Sequence, residues 1–231
     1  MVEEKILIDG KRCLLYADAE PEVLLVEPMD EQDLEFLDRE LEILKAEAGR
    51  PFALAALIIE DWNKELAPWP AEPVFGKEPF TGGAPETLRL IEDALIPKVE
   101  SLFPSLKNRN RIIGGYSLSA LFALWSAYES ESFDGIAAAS PSVWYPGWME
   151  FVRSNSPKAR SIYLSLGDKE YKSRNRTLAT VETCIRDYSG ILSATEGVKT
   201  ILEWNPGNHF VEADLRTAKA FLWTLKSVSS D

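Results

Sequence analysis

The chain has 231 residues, 45% hydrophobic and 27% charged, with a net charge of −12. That length suits one domain with a sizeable core, and the charge repels a phosphate backbone, which argues against a nucleic-acid partner. No apolar run approaches the roughly 20 residues of a membrane helix, and the acidic start "MVEEKILIDG" lacks a signal-peptide core, so a cytoplasmic protein with no membrane partner is expected.

In chain order, "KILI" and "CLLY" flank Asp9-Gly10, a hairpin signal. "PEVLLVE" reads as another strand, and residues 1–30 are expected to supply antiparallel strands. Leu34, Leu37, Leu41 and Leu44 recur at helical spacing, and Gly49-Arg50-Pro51 stops that helix. "FALAALII", Phe52 to Ile59, is a continuous apolar run suited to a central strand covered on both faces.

Residues 60–84 carry four prolines (Pro68, Pro70, Pro73, Pro79) and four aromatics (Trp62, Trp69, Phe75, Phe80), and 60–85 reads as a long active-site loop. Pro85 then opens a helix through Leu88, Ile91, Leu95, Val99 and Leu102, with Pro97 inside the pattern as a kink or a division. "RII" is a short strand; Leu118, Leu121, Phe122 and Trp125 mark the helix after it. "FDGIAAAS", "SIYLSLG" and "VKTILEW" are further strands. Their loops are "PSVWYPGW" (within 140–150, a second active-site loop), "DKEYKSRN" and "NPGNHF". Helices with faces at Leu178, Val181, Ile185, Leu192 and at Leu215, Ala218, Leu222, Leu225 follow the last two loops. Alternating strand and helix after an antiparallel start predicts a single α/β domain over 1–231. Its central sheet is mostly parallel, with helices on both faces and a site at the carboxyl ends of the strands.

The candidate chemistry gathers at those ends. Ser117 follows "RII" in Gly115-Tyr116-Ser117-Leu118-Ser119, a nucleophile-elbow pattern G-x-S-x-G with serine in place of the last glycine. Asp168 and Glu170 follow "SIYLSL". His209, the chain's one histidine, follows "VKTILEW". The order serine, acid, histidine is that of α/β-hydrolases. A serine hydroxyl needs a neutral imidazole to take its proton, and the imidazole needs a carboxylate to fix its tautomer. Hydrolase acids often sit a few residues past the strand-end glycine, here Gly167, which favours Glu170 as the acid and leaves Asp168 as the alternative.

The oxyanion needs two donors set in advance. One is the N–H of Leu118; the other is expected in the turn after "FALAALII", near Asp61 or Trp62. Trp62, Trp69, Trp144 and Tyr145 are the expected pocket residues, although for the loop tryptophans, Trp148 included, simple packing is equally open. A single histidine excludes a histidine-rich zinc site, Cys13 and Cys184 form no cluster, and neither metal nor organic cofactor is expected.

"IIGGYSLSALFALW", "AAASPSVWYP", "LSLGDKEYKSRN" and "NPGNHF" together resemble the putative esterase family of α/β-hydrolases, which includes enterochelin-type siderophore esterases, esterase D and feruloyl-esterase-like enzymes. The resemblance runs from about Phe52 to the C-terminus. It implies a serine hydrolase acting on a small carboxylic ester, with Ser117 as nucleophile, His209 as base and the acid within Asp168–Glu170. Some siderophore-branch members work with a serine–histidine pair and no clear acid. The chain's acidity gives no sign of a general basic surface for a ferric catecholate, and no siderophore substrate is assigned. Two other readings stay open: acyl transfer to an alcohol or thiol on the same triad, and a non-catalytic module that binds an aromatic ligand.

Overall fold

The structure, a computed structural model, describes residues 1–228; the last three residues of the expected domain lie outside that range. Strands β1 (Val2–Ile8) and β2 (Lys11–Ala17) form the hairpin. Asp9 (φ +48°) and Gly10 (φ +89°) both take positive φ, the geometry that lets a two-residue turn match strand twist. β3 (Leu24–Met29), α1 (Leu34–Glu47) and β4 (Ala53–Ile58) follow.

Residues 60–85 carry more order than expected: a one-turn α2 (Trp62–Glu65) and a two-stranded ribbon of β5 (Pro70–Ala71) and β6 (Phe80–Thr81). The helix expected from Pro85 to Leu102 is divided. α3 (Ala84–Leu90) passes through a π-helical turn, Ile91–Leu95, into α4 (Ile96–Leu102). Pro97 has no N–H to give the carbonyl one turn back, and its ring crowds that carbonyl, so the wider turn forms just before it.

Next come β7 (Arg111–Tyr116), α5 (Ser117–Glu129) and β8 (Gly135–Ala139). α6 (Trp148–Ser154), whose first three residues fall in the expected 140–150 loop, is followed by β9 (Ser161–Gly167), α7 (Val181–Ala194), β10 (Lys199–Asn205) and α8 (Ala213–Val228).

The strands form one eight-stranded sheet in the order β1-β2-β4-β3-β7-β8-β9-β10. Within this sheet only β1–β2 and β2–β4 pair antiparallel. β3 was expected among antiparallel strands, yet it runs parallel to both β4 and β7, because the α1 crossover returns the chain to the same end of the sheet. Every residue of β3, β4, β8 and β9 is buried, as strands covered on both faces require. One face carries α3–α7 and the other carries α1 and α8. α5 has 11 buried residues of 13, Ala120, Ala123 and Ala127 among them, and packs directly on the sheet.

Candidate active site

Ser117 opens α5 directly at the end of β7, with φ +58°. A β-substituted residue in that left-handed region costs on the order of 1–3 kcal/mol and persists only when its surroundings enforce it. Here they do: the Ser142 N–H donates to the Ser117 carbonyl at 3.0 Å, and α5 is locked against the sheet. The turn lifts Oγ above the strand end, where it lies 3.0 Å from His209 Nε2 and 3.4 Å from Ser142 Oγ.

His209 Nδ1 lies 2.8 Å from Glu170 Oε2. Glu170 sits on a 3₁₀ turn, Glu170–Lys172, with its side chain 4% exposed. Its other oxygen, Oε1, accepts from the Gly167 N–H (2.7 Å), Ser140 Oγ (2.8 Å) and Arg216 Nη1 (3.2 Å). One carboxylate edge therefore faces the imidazole and the other is fully occupied. A carboxylate placed in this way dictates that Nδ1 carries the proton and leaves Nε2 as the acceptor facing Oγ.

Asp168 lies elsewhere. Its Oδ1 accepts from the Gly207 N–H at 2.8 Å, and Lys169 N–H donates to the Gly207 carbonyl at 3.0 Å. Asp168 thus pins the loop that carries His209, two residues before the histidine, while Glu170 meets the ring itself. The Tyr116 hydroxyl donates to the His209 carbonyl at 2.8 Å and steadies the same loop from the nucleophile side. Burial pushes the Tyr116 hydroxyl up to about 12, so it serves as a neutral donor.

The strand order sets the turn expected to supply the second oxyanion donor apart from Ser117. β3 separates β4 from β7, so the turn after β4, with Trp62, stands two strand spacings, roughly 9–10 Å, from β7. The N–H groups just before Trp62 are also taken: Ile59 by the Met29 carbonyl, and Glu60 and Asp61 by Glu65 Oε1. The turn that adjoins β7 follows β3. Val26 pairs with Ile113, and continuing that register brings Met29 level with Tyr116 and Asp30 level with Ser117. Within this turn the Asp30 carboxylate holds the N–H groups of Gln32 and Asp33 (2.7 and 2.9 Å).

A cavity of about 600 Å³ opens beside the serine and histidine. Phe75, Pro141, Trp144, Leu178, Val181 and Phe210 give it apolar walls; Lys169, Lys172, Ser173 and Asn208 give it polar ones. Of the expected pocket residues, Trp144 lines it and Trp62, Trp69 and Tyr145 do not. Trp69 Nε1 donates to the Pro146 carbonyl, and the Tyr145 hydroxyl donates to the Trp69 carbonyl, which ties the two active-site loops together by backbone contacts. Trp148 is fully buried against Phe151 and Tyr188. Phe75, Phe210 and the two lysines were missed. A loop phenylalanine or lysine has no motif, and only their shared position at the strand ends could have pointed to them.

Among curated proteins, no sequence match is found. Among solved structures the chain is similar to an IroE-like serine hydrolase from Shewanella oneidensis, at 13% identity over 97% of this chain and 80% of that one, with a TM-score of 0.81. It is similar to the siderophore hydrolase EstA from Aspergillus nidulans, at 20% identity over 98% and 94% of the two chains, with a TM-score of 0.76. It also resembles the enterobactin esterase FES from Shigella flexneri, at 15% identity over all of this chain and 61% of that one, with a TM-score of 0.72. These likenesses show a shared fold. The family model described as "Putative esterase" matches residues 60–197, a span that holds Ser117 and Glu170 and more than half of the sequence. On that match the chain belongs to the Esterase family of carboxylic-ester hydrolases.

Proposed function

We propose that the protein cleaves a small carboxylic ester through a Ser117–His209–Glu170 triad and an acyl-enzyme. The observation that carries this reading is the unbroken series of contacts, 3.0 Å from Ser117 Oγ to His209 Nε2 and 2.8 Å from Nδ1 to Glu170 Oε2.

As Ser117 Oγ attacks the ester carbonyl, its proton passes to His209 Nε2. Glu170 holds the ring and balances the imidazolium that forms. The carbonyl oxygen becomes an oxyanion, held by the Leu118 N–H and by a backbone donor from the turn at Asp30 and Glu31. The imidazolium then gives its proton to the departing alkoxide, which leaves as the alcohol. Water attacks the acyl-enzyme by the same route, releasing the acid and restoring Ser117. The chemistry requires no metal or organic cofactor.

Two observations weigh on the alternatives. A non-catalytic module has no use for a strained serine 3.0 Å from an imidazole that is itself paired with a buried carboxylate. Acyl transfer uses the same triad, and the acceptor separates the two reactions. Short-chain nitrophenyl esters should be turned over by the wild type and not by Ser117→Ala. With a primary alcohol or a thiol added, free acid as the main product supports hydrolysis, whereas a new ester or thioester shows transfer.

A further inference from the structure

Arg216 lies in the first turn of α8 and is 1% exposed; among the described residues it is the one buried arginine. Its guanidinium meets every segment of the site. Nη1 donates to the Tyr116 hydroxyl oxygen (3.0 Å), to Ser140 Oγ (3.2 Å) and to Glu170 Oε1 (3.2 Å). Nη2 donates to the carbonyls of Pro206 (2.9 Å) and Asn208 (3.1 Å).

The donor directions close without conflict. The Tyr116 hydroxyl spends its proton on the His209 carbonyl, and Ser140 spends its own on Glu170 Oε1, so both oxygens are left as acceptors for Arg216. The four N–H bonds of the two terminal nitrogens therefore serve five acceptors on four separate segments: the residue before the nucleophile, the end of β8, the acid, and the loop of the histidine. A lysine has one nitrogen and no planar fork, and could not span them all.

We propose that Arg216 is a positioning residue for ester cleavage, a single rigid plane that fixes the relative placement of Ser117, Glu170 and His209. This rests on the triad reading above. Arg216 does not line the cavity, so its effect falls on the chemical step and not on substrate binding. Its charge also balances the buried Glu170 carboxylate, whose second oxygen otherwise has only the neutral donors Gly167 N–H and Ser140 Oγ.

The test compares Arg216→Lys, Arg216→Met, Tyr116→Phe and Ser140→Ala with wild type in steady-state ester turnover, each checked for folding by circular dichroism and thermal melting. Arg216→Met should lose roughly a hundredfold in kcat, the scale of a small misplacement of reacting groups, with KM within about twofold of wild type. Arg216→Lys should recover part of that loss. Tyr116→Phe and Ser140→Ala, which each delete one hydroxyl in the network, should each lose roughly two- to tenfold in kcat, at unchanged KM in Tyr116→Phe, whose side chain does not line the cavity as Ser140 does. A folded Arg216→Met with wild-type kcat overturns the proposal, as does a loss that appears in KM instead of kcat. Should Arg216→Met fail to fold, the two hydroxyl variants decide, and wild-type kcat in both overturns it. Turnover by Ser117→Ala would instead remove the triad reading beneath it; full kcat in the Arg216, Tyr116 and Ser140 variants alone would leave the triad standing.

Discussion

Gly115 and Ser119 occupy the space that a nucleophile elbow reserves for two glycines. A Cβ on Gly115, at φ +153°, would overlap Ser119 Oγ. That hydroxyl donates to the Pro28 carbonyl at 2.5 Å. The departure from G-x-S-x-G is therefore compensated on the spot. Gly115 makes room for the extra oxygen, and the oxygen satisfies a carbonyl at the end of β3, the strand beside the nucleophile strand.

The two positions should respond differently to substitution. Ser119→Ala loses one hydrogen bond and should cost about 1 kcal/mol in urea unfolding with ester turnover retained. Gly115→Ala forces both the overlap and the left-handed backbone on a side chain. It should cost at least about 2 kcal/mol and displace Ser117 enough to reduce kcat.

Glu170, the carboxylate whose oxygen meets the imidazole, is the proposed acid. Glu170→Gln keeps the shape of the acid and removes its charge, and should lower kcat roughly a thousandfold or more. Asp168→Ala frees the Gly207 end of the histidine loop without touching the ring, and should cost less than about tenfold. Steady-state kinetics on both variants separates the roles, and the reverse order would make Asp168 the acid.

A buried carboxyl pair away from the site contributes to the pH dependence of stability. Glu27 on β3 and Glu40 on α1 are both 3% exposed and share a hydrogen bond beneath α1. Burial pushes Glu27 up from 4.5 to about 8, and burial together with Glu27 holds Glu40 well above its ordinary value. In the window from about pH 4.5 to pH 8 this pair binds more protons in the folded chain than in the unfolded one, so its contribution to stability is full below 4.5 and declines as pH rises to 8. Glu27→Gln should flatten that decline and raise the urea midpoint at pH 8, read by unfolding at a series of pH values.

Lys169 and Lys172 line the cavity of a chain whose net charge is −12. An ester carrying a carboxylate should gain from them where a neutral ester does not. In the Lys169→Ala, Lys172→Ala double variant, KM should rise several-fold for the anionic ester and change little for a neutral one of equal size. The salt dependence of kcat/KM should weaken for the anionic ester alone.

Much of the sheet was legible because each strand carried a local signal: Asp9-Gly10 for the hairpin, the unbroken apolar run for the buried β4, and the short segments "FDGIAAAS" and "SIYLSLG" for β8 and β9. The lone histidine placed His209 with no geometry at all. What escaped the sequence was set by neighbours distant in the chain. The strand "PEVLLVE" has the same apolar pattern whether it runs parallel or antiparallel, and only the α1 crossover decides. That placement of β3 between β4 and β7 sets the turn with Trp62 apart from Ser117 and puts the turn after β3 beside it. Trp69 and Tyr145 looked like pocket aromatics because they lie in the right loops, yet their polar ends go to backbone carbonyls within those loops. Arg216 carried no signal, since an arginine in the first turn of a terminal helix reads as a solvated residue until the loops of β9 and β10 are folded over it.

The central claim is that Ser117 is a nucleophile activated by His209. Labelling with a fluorophosphonate probe, followed by mass spectrometry of the modified peptide, addresses it most directly. The wild type should take up one label per chain, on Ser117, and both Ser117→Ala and His209→Ala should lose it. Undiminished labelling of Ser117→Ala, or a label found on another residue, would contradict the account.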